Sequence, residues 1–464
     1  MTNIYGLLSI GQSALLTQQK AIDITGNNIA NVNTPGYSRQ RLNIKQNSPV
    51  RADGQTMSTG VTADTGIQRF YDQFLGAQLN GENESLGRWE AQKQALERAE
   101  LMFDDSESNG LSSAMGAFWN AWQDLSNNPS GVAERTSLIS AGQYLATTFN
   151  QTYNNLRDLQ SDIDTHVTNI VSDINEIADR IAELNRKVNQ VEVTGHNAND
   201  FRDERDQLVL ELSKLIEVQS FEDGDGNINV SVGSGKPLVD GTATWDLTTA
   251  DNGGVQDVFW QAADGSTVNI TGQITSGELK GWIYTRDTSI DDYLTRLDTL
   301  ATNIMSEVNT LHAAGTTLDS VTTTGVNFFT GSGAVNMTVN SAIEANSDLI
   351  AAAGAGEGLP GGNSTAIAIA GLQSAATMPG SSTFDAYYNS LVGQVGADVQ
   401  AADFNQNHQE TMVKNLKEYR QEVSGVSLDE EMVNLIQFQQ AYSAAAKLIT
   451  TADEMVDTLL SMVR

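Results

Sequence analysis

Apolar positions at both ends of the chain fall into helical columns. From Ile4 a seam runs through Leu8, Gly11, Leu15, Gln18, Ile22, Thr25, Ile29 and Val32. Its steps of four and three are the spacing of a helix that faces another helix. At the other end Leu428, Leu435, Tyr442, Ile449, Val456 and Val463 fall seven apart, with Met432, Ala446 and Leu460 as a second column and Gln439 and Asp453 as polar interruptions. The expected assembly seam is therefore Ile4, Leu8, Leu15, Ile22, Ile29 and Val32 against Leu428, Met432, Leu435, Tyr442, Ile449 and Val456. A helix over 4–32 would be about 44 Å long. Its narrow apolar stripe makes a lone terminal pair marginal, so other subunits are expected to cover what remains.

Between the ends the period changes several times. Pro35 stops the first helix near Asn33, and YSRQRLNIK and GVTADTGIQRF alternate as short extended segments around Gly54 and Gly60. Helical spacing returns from about Phe70 and again through Leu111, Met115, Phe118, Trp119, Trp122 and Leu125. From Val132 to Val191 the chain has no proline, and Ile163, Val167, Ile170, Ile174, Ile177, Ile181, Leu184, Val188 and Val191 form its strongest periodic run. A shorter helix follows over Phe201 to Ile216. Val218 to about Trp282 is rich in Gly, Thr, Val and Asp and reads as strands joined by DGDGN, DNGG and ADG turns. The helical period resumes from Ser289 to His312, a Gly- and Ala-rich excursion covers Gly315 to Pro379, and two long helices close the chain.

This order predicts a mainly α protein with β insertions, elongated and multi-domain. The expected units are a terminal coiled-coil domain (1–35 with 426–464), a long helical bundle (36–217, 286–314 and 383–425), a β-rich inserted domain (218–285) and a small subdomain or excursion (315–382).

Charge and composition exclude several function classes. With 26 Lys plus Arg against 58 Asp plus Glu, the formal charge of −32 repels nucleic acid and anionic membrane, so neither is expected as a partner. Cysteine is absent, which removes disulfides, thiolate metal sites and thiol nucleophiles. The start MTNIYGLLSIGQSALLTQQK has no basic, apolar signal-peptide pattern, and no segment is apolar enough for a membrane span.

Candidate chemistry fails in detail. FEDGDGNINV places Asp223, Asp225 and Asn227 as in a calcium loop, but the sixth position is Ile228 and the twelfth Ser234, so a β-turn is expected. GSGKP lacks the first glycine and the final hydroxyl of a phosphate loop. Gly354, Gly356 and Gly358 follow an alanine run rather than a strand. His166, His196, His312 and His408 lie in separate segments without metal-ligand spacing, and Trp119 with Trp122 reads as core. No catalytic, cofactor-binding or metal-binding residue is assigned, and no cofactor is expected.

One run is more specific. AIDITGNNIANVNTPGYSRQR resembles the N-terminal signature of the axial proteins of the bacterial flagellum, the rod, hook and hook-associated proteins. The matching residues are Asn27, Asn28, Ile29, Ala30, Asn31, Asn33, Thr34, Pro35, Gly36 and Tyr37. Amides at the end of such a helix are expected to hydrogen-bond neighbouring subunits. NAWQDLSNNPSGVAERTSLI, NDFRDERDQLVLELS and the C-terminal GVSLDEEMVNLIQFQQAYSAAAKLITTADEMVDTLL are similar to the subunits that join hook to filament. The resemblance implies a non-enzymatic structural subunit that assembles with itself in a ring. Its implied neighbours are the hook protein and a second junction protein, hook-associated protein 3. It also implies export by the flagellar type III apparatus after a transient stay in the cytoplasm. An export chaperone would bind the C-terminal helix at Leu428, Leu435, Tyr442, Ile449, Val456 and Leu460. The alternatives are a hook or distal rod subunit, a flagellum-associated wall hydrolase, and a cytosolic coiled-coil scaffold that would leave the signature unexplained.

Overall fold

A computed structural model describes residues 2–46, 50–52, 55–57, 60–103, 110–319 and 324–462. Gly54 and Val463 lie outside the described residues. The first helix, α1 (Thr2–Ala30), ends in turns over Asn31–Thr34 before Pro35. Strands β1 (Gln40–Gln46) and β4 (Val61–Arg69) pair antiparallel from Gln40↔Arg69 to Gln46↔Val61, and a second antiparallel pair, β2 (Val50–Ala52) and β3 (Gln55–Met57), lies between them in sequence.

Helix α2 (Gln73–Glu100) starts where the Asp72 carboxylate accepts the N–H groups of Phe74 and Leu75. It is followed by α3 (Leu111–Asn127) and by α4 (Val132–Glu192), whose 61 residues span about 90 Å. Along α4 the predicted column is buried: Ile163, Val167, Ile174, Ile181 and Val188 are wholly inaccessible. Helix α5 (Asn199–Leu215) turns back along α4.

The segment after α5 holds two antiparallel sheets. One has the order β5 (Gln219–Glu222), β6 (Ile228–Val232), β7 (Lys236–Asp240), β8 (Ala243–Thr244). The other places β10 (Gln256–Gln261) between β9 (Leu247–Asp251) and β11 (Thr267–Asn269). The expected β-turn is present, because Asp223 accepts the N–H groups of Asp225 and Asn227. Val230, Val232, Leu238, Val258 and Trp260 join the same apolar cluster as Ile174 and Ile181 of α4. The sheets thus lay their inner faces on the long helix.

The helical period returns earlier than expected. Residues 277–284, read from sequence as the end of the β-rich stretch, form α6 (Gly277–Tyr284) and continue through a π-helical turn, Thr285–Ile290, into α7 (Asp291–Ala314). Leu279, Trp282 and Ile283 are buried, so a short amphipathic pattern supplies a full helical face to the shaft.

The Gly- and Ala-rich excursion is also folded. It contains the short pair β12 (Phe329–Thr330) and β13 (Thr338–Val339), then α8 (Ser341–Ala345) and α9 (Ser364–Gly371). Phe328 and Phe329 pack on Phe118, and Phe328 packs on Trp122, while Trp119 stacks on Phe384 at the start of α10 (Phe384–Ser424). Buried Arg135 donates to the carbonyls of Pro129, Ser347 and Ile350, tying this segment to the first turn of α4. The last helix, α11 (Leu428–Met462), returns to α1.

His312 fastens the excursion to α7. Its Nδ1–H donates to the Val326 carbonyl at 2.7 Å, and its Nε2 accepts the Ala351 N–H at 3.0 Å, a pairing that requires the neutral ring. Burial lowers its pKa to about 4, and the Arg135 charge pushes the same way. Below pH 6.5 the unfolded chain takes up a proton that the folded site refuses. This contribution is therefore intact at neutral pH and is lost as pH falls from 6.5 towards 4. The stability difference between wild type and His312→Gln should shrink by roughly 3 kcal/mol over that window, read from urea unfolding at each pH.

Candidate functional site

The two ends of the chain form an antiparallel helix pair. Gly11 of α1 meets Ile449 and Ala445 of α11, while Asn28 near the other end of α1 reaches Glu431 in the first turn of α11. A Cβ on Gly11 would sit 2.7 Å from Ile449 Cγ1, so any larger residue there would force the Ile449 side chain to shift. Ala21, Ile24 and Leu42 are buried together, with Ile67 and Phe438 beside them, so the β1/β4 hairpin closes one side of the pair.

Polar side chains fix the base of the pair. The Asn28 amide donates to the Gln40 carbonyl at 2.9 Å and to the Glu431 carboxylate at 3.1 Å, and its oxygen accepts from the Tyr37 hydroxyl at 2.9 Å and the Gln40 N–H at 3.0 Å. All its capacity is used inside the chain. Arg39 bridges Glu430 and the buried Glu431. The Ser38 N–H donates to Asp203, Gln40 donates to Asp200, and Arg69 spans Asp203 at 2.9 Å and Asp206 at 2.7 Å. Burial lifts the carboxyls of Asp203 and Asp206 above the ordinary aspartate range in spite of Arg69. Burial also raises the Tyr37 phenol, helped by Asp200, Asp203 and Glu431, so it stays a neutral donor. Gly36 turns with φ of +82° over Gln207, a conformation that favours glycine.

This site can hold two chain ends together, and among the described residues no group of three or more His, Cys, Asp or Glu has metal-binding geometry. Comparison with known proteins decides what the arrangement belongs to. A family model for the helical domain of flagellar hook-associated protein FlgK matches residues 96–329. Models for flagellar rod proteins match the ends, at 8–37 and 418–462. Flagellar hook-associated protein 1 of Bacillus subtilis is 30% identical, covering 99% of each chain. The chain belongs to the flagellar hook-associated protein 1 family.

The Salmonella typhimurium protein of the same name is 27% identical, covering 98% of this chain and 99% of its own. The flagellar hook junction protein FlgK of Burkholderia pseudomallei shares the fold, with a TM-score of 0.68, 16% identity, and coverage of 75% of this chain and all of that one. The protein is a structural, non-enzymatic component of the bacterial flagellum at the hook–filament junction.

Within this family frame the expected signature divides into two faces. Asn28 is buried, Gly36 and Tyr37 are half-buried and turned inward, while Asn27, Asn33, Thr34 and Pro35 are exposed. Asn31 donates back to the Asn27 carbonyl and accepts from Thr34. Within this chain Asn28 makes all its hydrogen bonds inward and Asn31 bonds to Asn27 and Thr34, so among the described residues the amides that face outward with no such partners are Asn27 and Asn33.

The intramolecular seam keeps Gly11 and Thr25 of the expected column and otherwise differs from it. Ile4, Leu8, Leu15, Ile22, Ile29 and Val32 are half-buried on the shoulders of α1, and the wholly covered positions are Gly11, Thr17, Ala21, Ile24, Thr25 and Asn28. On α11, Leu435, Ile449 and Val456 are half-buried, but Leu428, Met432, Tyr442 and Leu460 are exposed. Glu431, Ala445 and Ala452 are buried instead, and Phe438 joins the apolar cluster. Small residues let the helices approach closely, which pushes the large apolar side chains to the flanks. The sevenfold spacing of Glu431, Phe438, Ala445 and Ala452 is present in the sequence, but glutamate and alanine carry little apolar weight. Asp203, Arg69 and Glu431 gave no sequence signal of their own, because their partners lie 134 to 403 residues away.

Replacing Asn28 by Ala removes four hydrogen bonds and leaves buried Glu431 short of a donor. A loss of about 1–3 kcal/mol is expected, confined to the terminal unit. It should register as faster amide exchange in β1 and the first turns of α11, with α4 unaffected.

Proposed function

We propose that the antiparallel pair α1–α11 is the element through which copies of this subunit polymerise into a ring. The observation that carries this is an apolar arc on α11 wider than one partner covers. Leu448, Met455 and Met462 form a column seven apart, exposed by 42, 47 and 78%, beside the stripe that packs on α1. Met432 at 47% and Leu460 at 63% flank its other side. Exposed apolar surface of this extent on a helix pair calls for further helices.

Charge supports the same reading. Residues 1–38 carry only Lys20 and Asp23, and residues 432–452 only Lys447, although 18% of the whole chain is charged. Copies of a chain bearing −32 repel one another, and they can crowd together only where that charge is missing. In this reading the hook protein lies on one side of the ring and hook-associated protein 3 on the other. The division into a terminal coiled-coil unit, a helical shaft and inserted segments is the functional one.

Export through the flagellar type III apparatus completes the proposal. The column of α11 that runs from exposed Leu428 through half-buried Leu435, exposed Tyr442 and half-buried Ile449 and Val456 to exposed Leu460 offers an export chaperone an amphipathic helix to capture before secretion, when α1 does not cover it. A hook or rod subunit is the weaker reading, because the helical-domain match over 96–329 joins this chain to the hook-associated proteins rather than to the rod.

Met455→Asp, on the flank that does not face α1, should leave the subunit folded and secreted but absent from purified hook–filament junctions, with loss of motility. Normal incorporation would remove this flank from the interface. For capture before export, a chain lacking residues 428–464 should fail to retain the chaperone in a pull-down. Undiminished binding would place the chaperone site elsewhere.

A further inference from the structure

We infer that the side of the shaft where α2 crosses α6 is a second contact between copies, at which an arginine held between two aromatic rings receives carboxylates from the shaft of the neighbouring copy. This contact presupposes the ring proposed above and lies outside the terminal helices. The crossing is close: a Cβ on Gly281 would lie 2.4 Å from the Arg88 carbonyl oxygen and 2.6 Å from the Ala91 Cβ. That approach brings Arg88 and Trp89 of α2 beside Tyr284 at the end of α6. The Arg88 guanidinium carbon stands 4.9 Å from the centre of the Trp89 ring and 5.9 Å from that of Tyr284. Lys280, one turn before Tyr284, shares its face of α6. Tyr284 is 38% exposed, and Arg88, Trp89 and Lys280 are half-buried.

An internal brace would use the hydrogen bonds of its arginine, and this one does not. Among the described residues the Arg88 guanidinium donates to no acceptor, and its Nε is already closed off from water without one. Neither Arg88 nor Lys280 has an ion-pair partner there. Cations nearby do: Lys93 pairs with Asp403, Arg98 with Asp162 and Lys214 with Glu90. In a chain with 58 acidic side chains against 26 basic ones, two adjoining cations without a carboxylate form a place kept open for one. Arginine, tryptophan and tyrosine are also the side chains that carry most of the energy of protein interfaces. A guanidinium already partly desolvated and held by two rings loses little further freedom when a carboxylate arrives.

Charge and position select a second copy of this chain as the occupant. A copy with formal charge −32 is dense in carboxylates, among them the exposed Asp173 and Glu176 of α4. Arg88 lies about 22 Å along α2 from Gln73, where the chain has just left the β1/β4 hairpin. Copies joined through their terminal helices hold their shafts side by side at this height. Such a tether raises the concentration of one flank at the other to the order of millimolar. A contact too weak to associate free monomers then suffices to set the spacing of the shafts round the ring.

Photo-crosslinking in isolated hook–filament junctions tests this, with benzoylphenylalanine in place of Tyr284 in the full chain. Irradiation should give a covalent dimer of this chain, with peptides that join position 284 to an acidic stretch of the shaft of a second copy. Lys280→Glu should reduce that dimer at least tenfold and Lys280→Gln several-fold, while the circular dichroism and melting of both monomers stay at wild-type values. A crosslink from position 284 only to another protein, no dimer at all, or a dimer undiminished in both variants would overturn the proposal. Loss of helix in both variants would make Lys280 an internal brace and overturn it too. The same probe at Met455 reports the terminal contact. If it yields dimer where position 284 does not, only the shaft contact falls; if both are silent, the ring reading falls with it.

Discussion

The apolar face of α4 is the constraint on which the middle of the molecule depends. A helix of 61 residues cannot bury its own stripe, and every neighbour here is recruited to do so. Helices α3, α5 and α7 and the two sheets of the β-rich stretch all contribute to one continuous apolar cluster with it. The consequence is a stiff shaft in which segments distant in sequence share a core. The insertions between its helices share that core, as Trp260 and Phe328 show by joining the cluster.

The ends are stabilised by different physics. Between α1 and α11 the helices approach over Gly11, Ala21, Ala445 and Ala452, so close contact through small residues accompanies only a small apolar cluster around Ile24 and Phe438. At their base, Asn28, Glu431 and Arg39 substitute hydrogen bonds and charge for a core. This arrangement leaves Leu16 of α1 and Leu448, Met455, Leu460 and Met462 of α11 exposed. In the lone chain that surface faces solvent, and under the proposed ring reading it is the surface that neighbouring copies would cover.

How legible this was in the sequence follows from the range of each interaction. The α4 column was legible because each apolar residue reports on the same face as the one seven before it. The Gly- and Ala-rich excursion was not, because its order comes from Arg135, His312 and the Phe118 cluster, which belong to other segments. The end seam was half legible: Leu435, Ile449 and Val456 stand near the interface, but Leu428, Met432 and Tyr442, which the heptad spacing places in it, are exposed. Residue volume ranks burial in an ordinary core, and it misleads where helices touch through glycine and alanine.

By itself the sequence determined the mainly helical class, the long shaft helix, the exclusion of thiol chemistry and the axial signature, since all of these rest on local period or composition. Only the tertiary structure decided that the signature amide of Asn28 faces inward to Glu431, that Arg69 divides itself between Asp203 and Asp206, and that the β segments lie on the shaft. Those decisions depend on which distant groups share a small volume. A polar side chain carries the same propensity whether its partner is water or a carboxylate 403 residues away, and geometry alone tells the two apart.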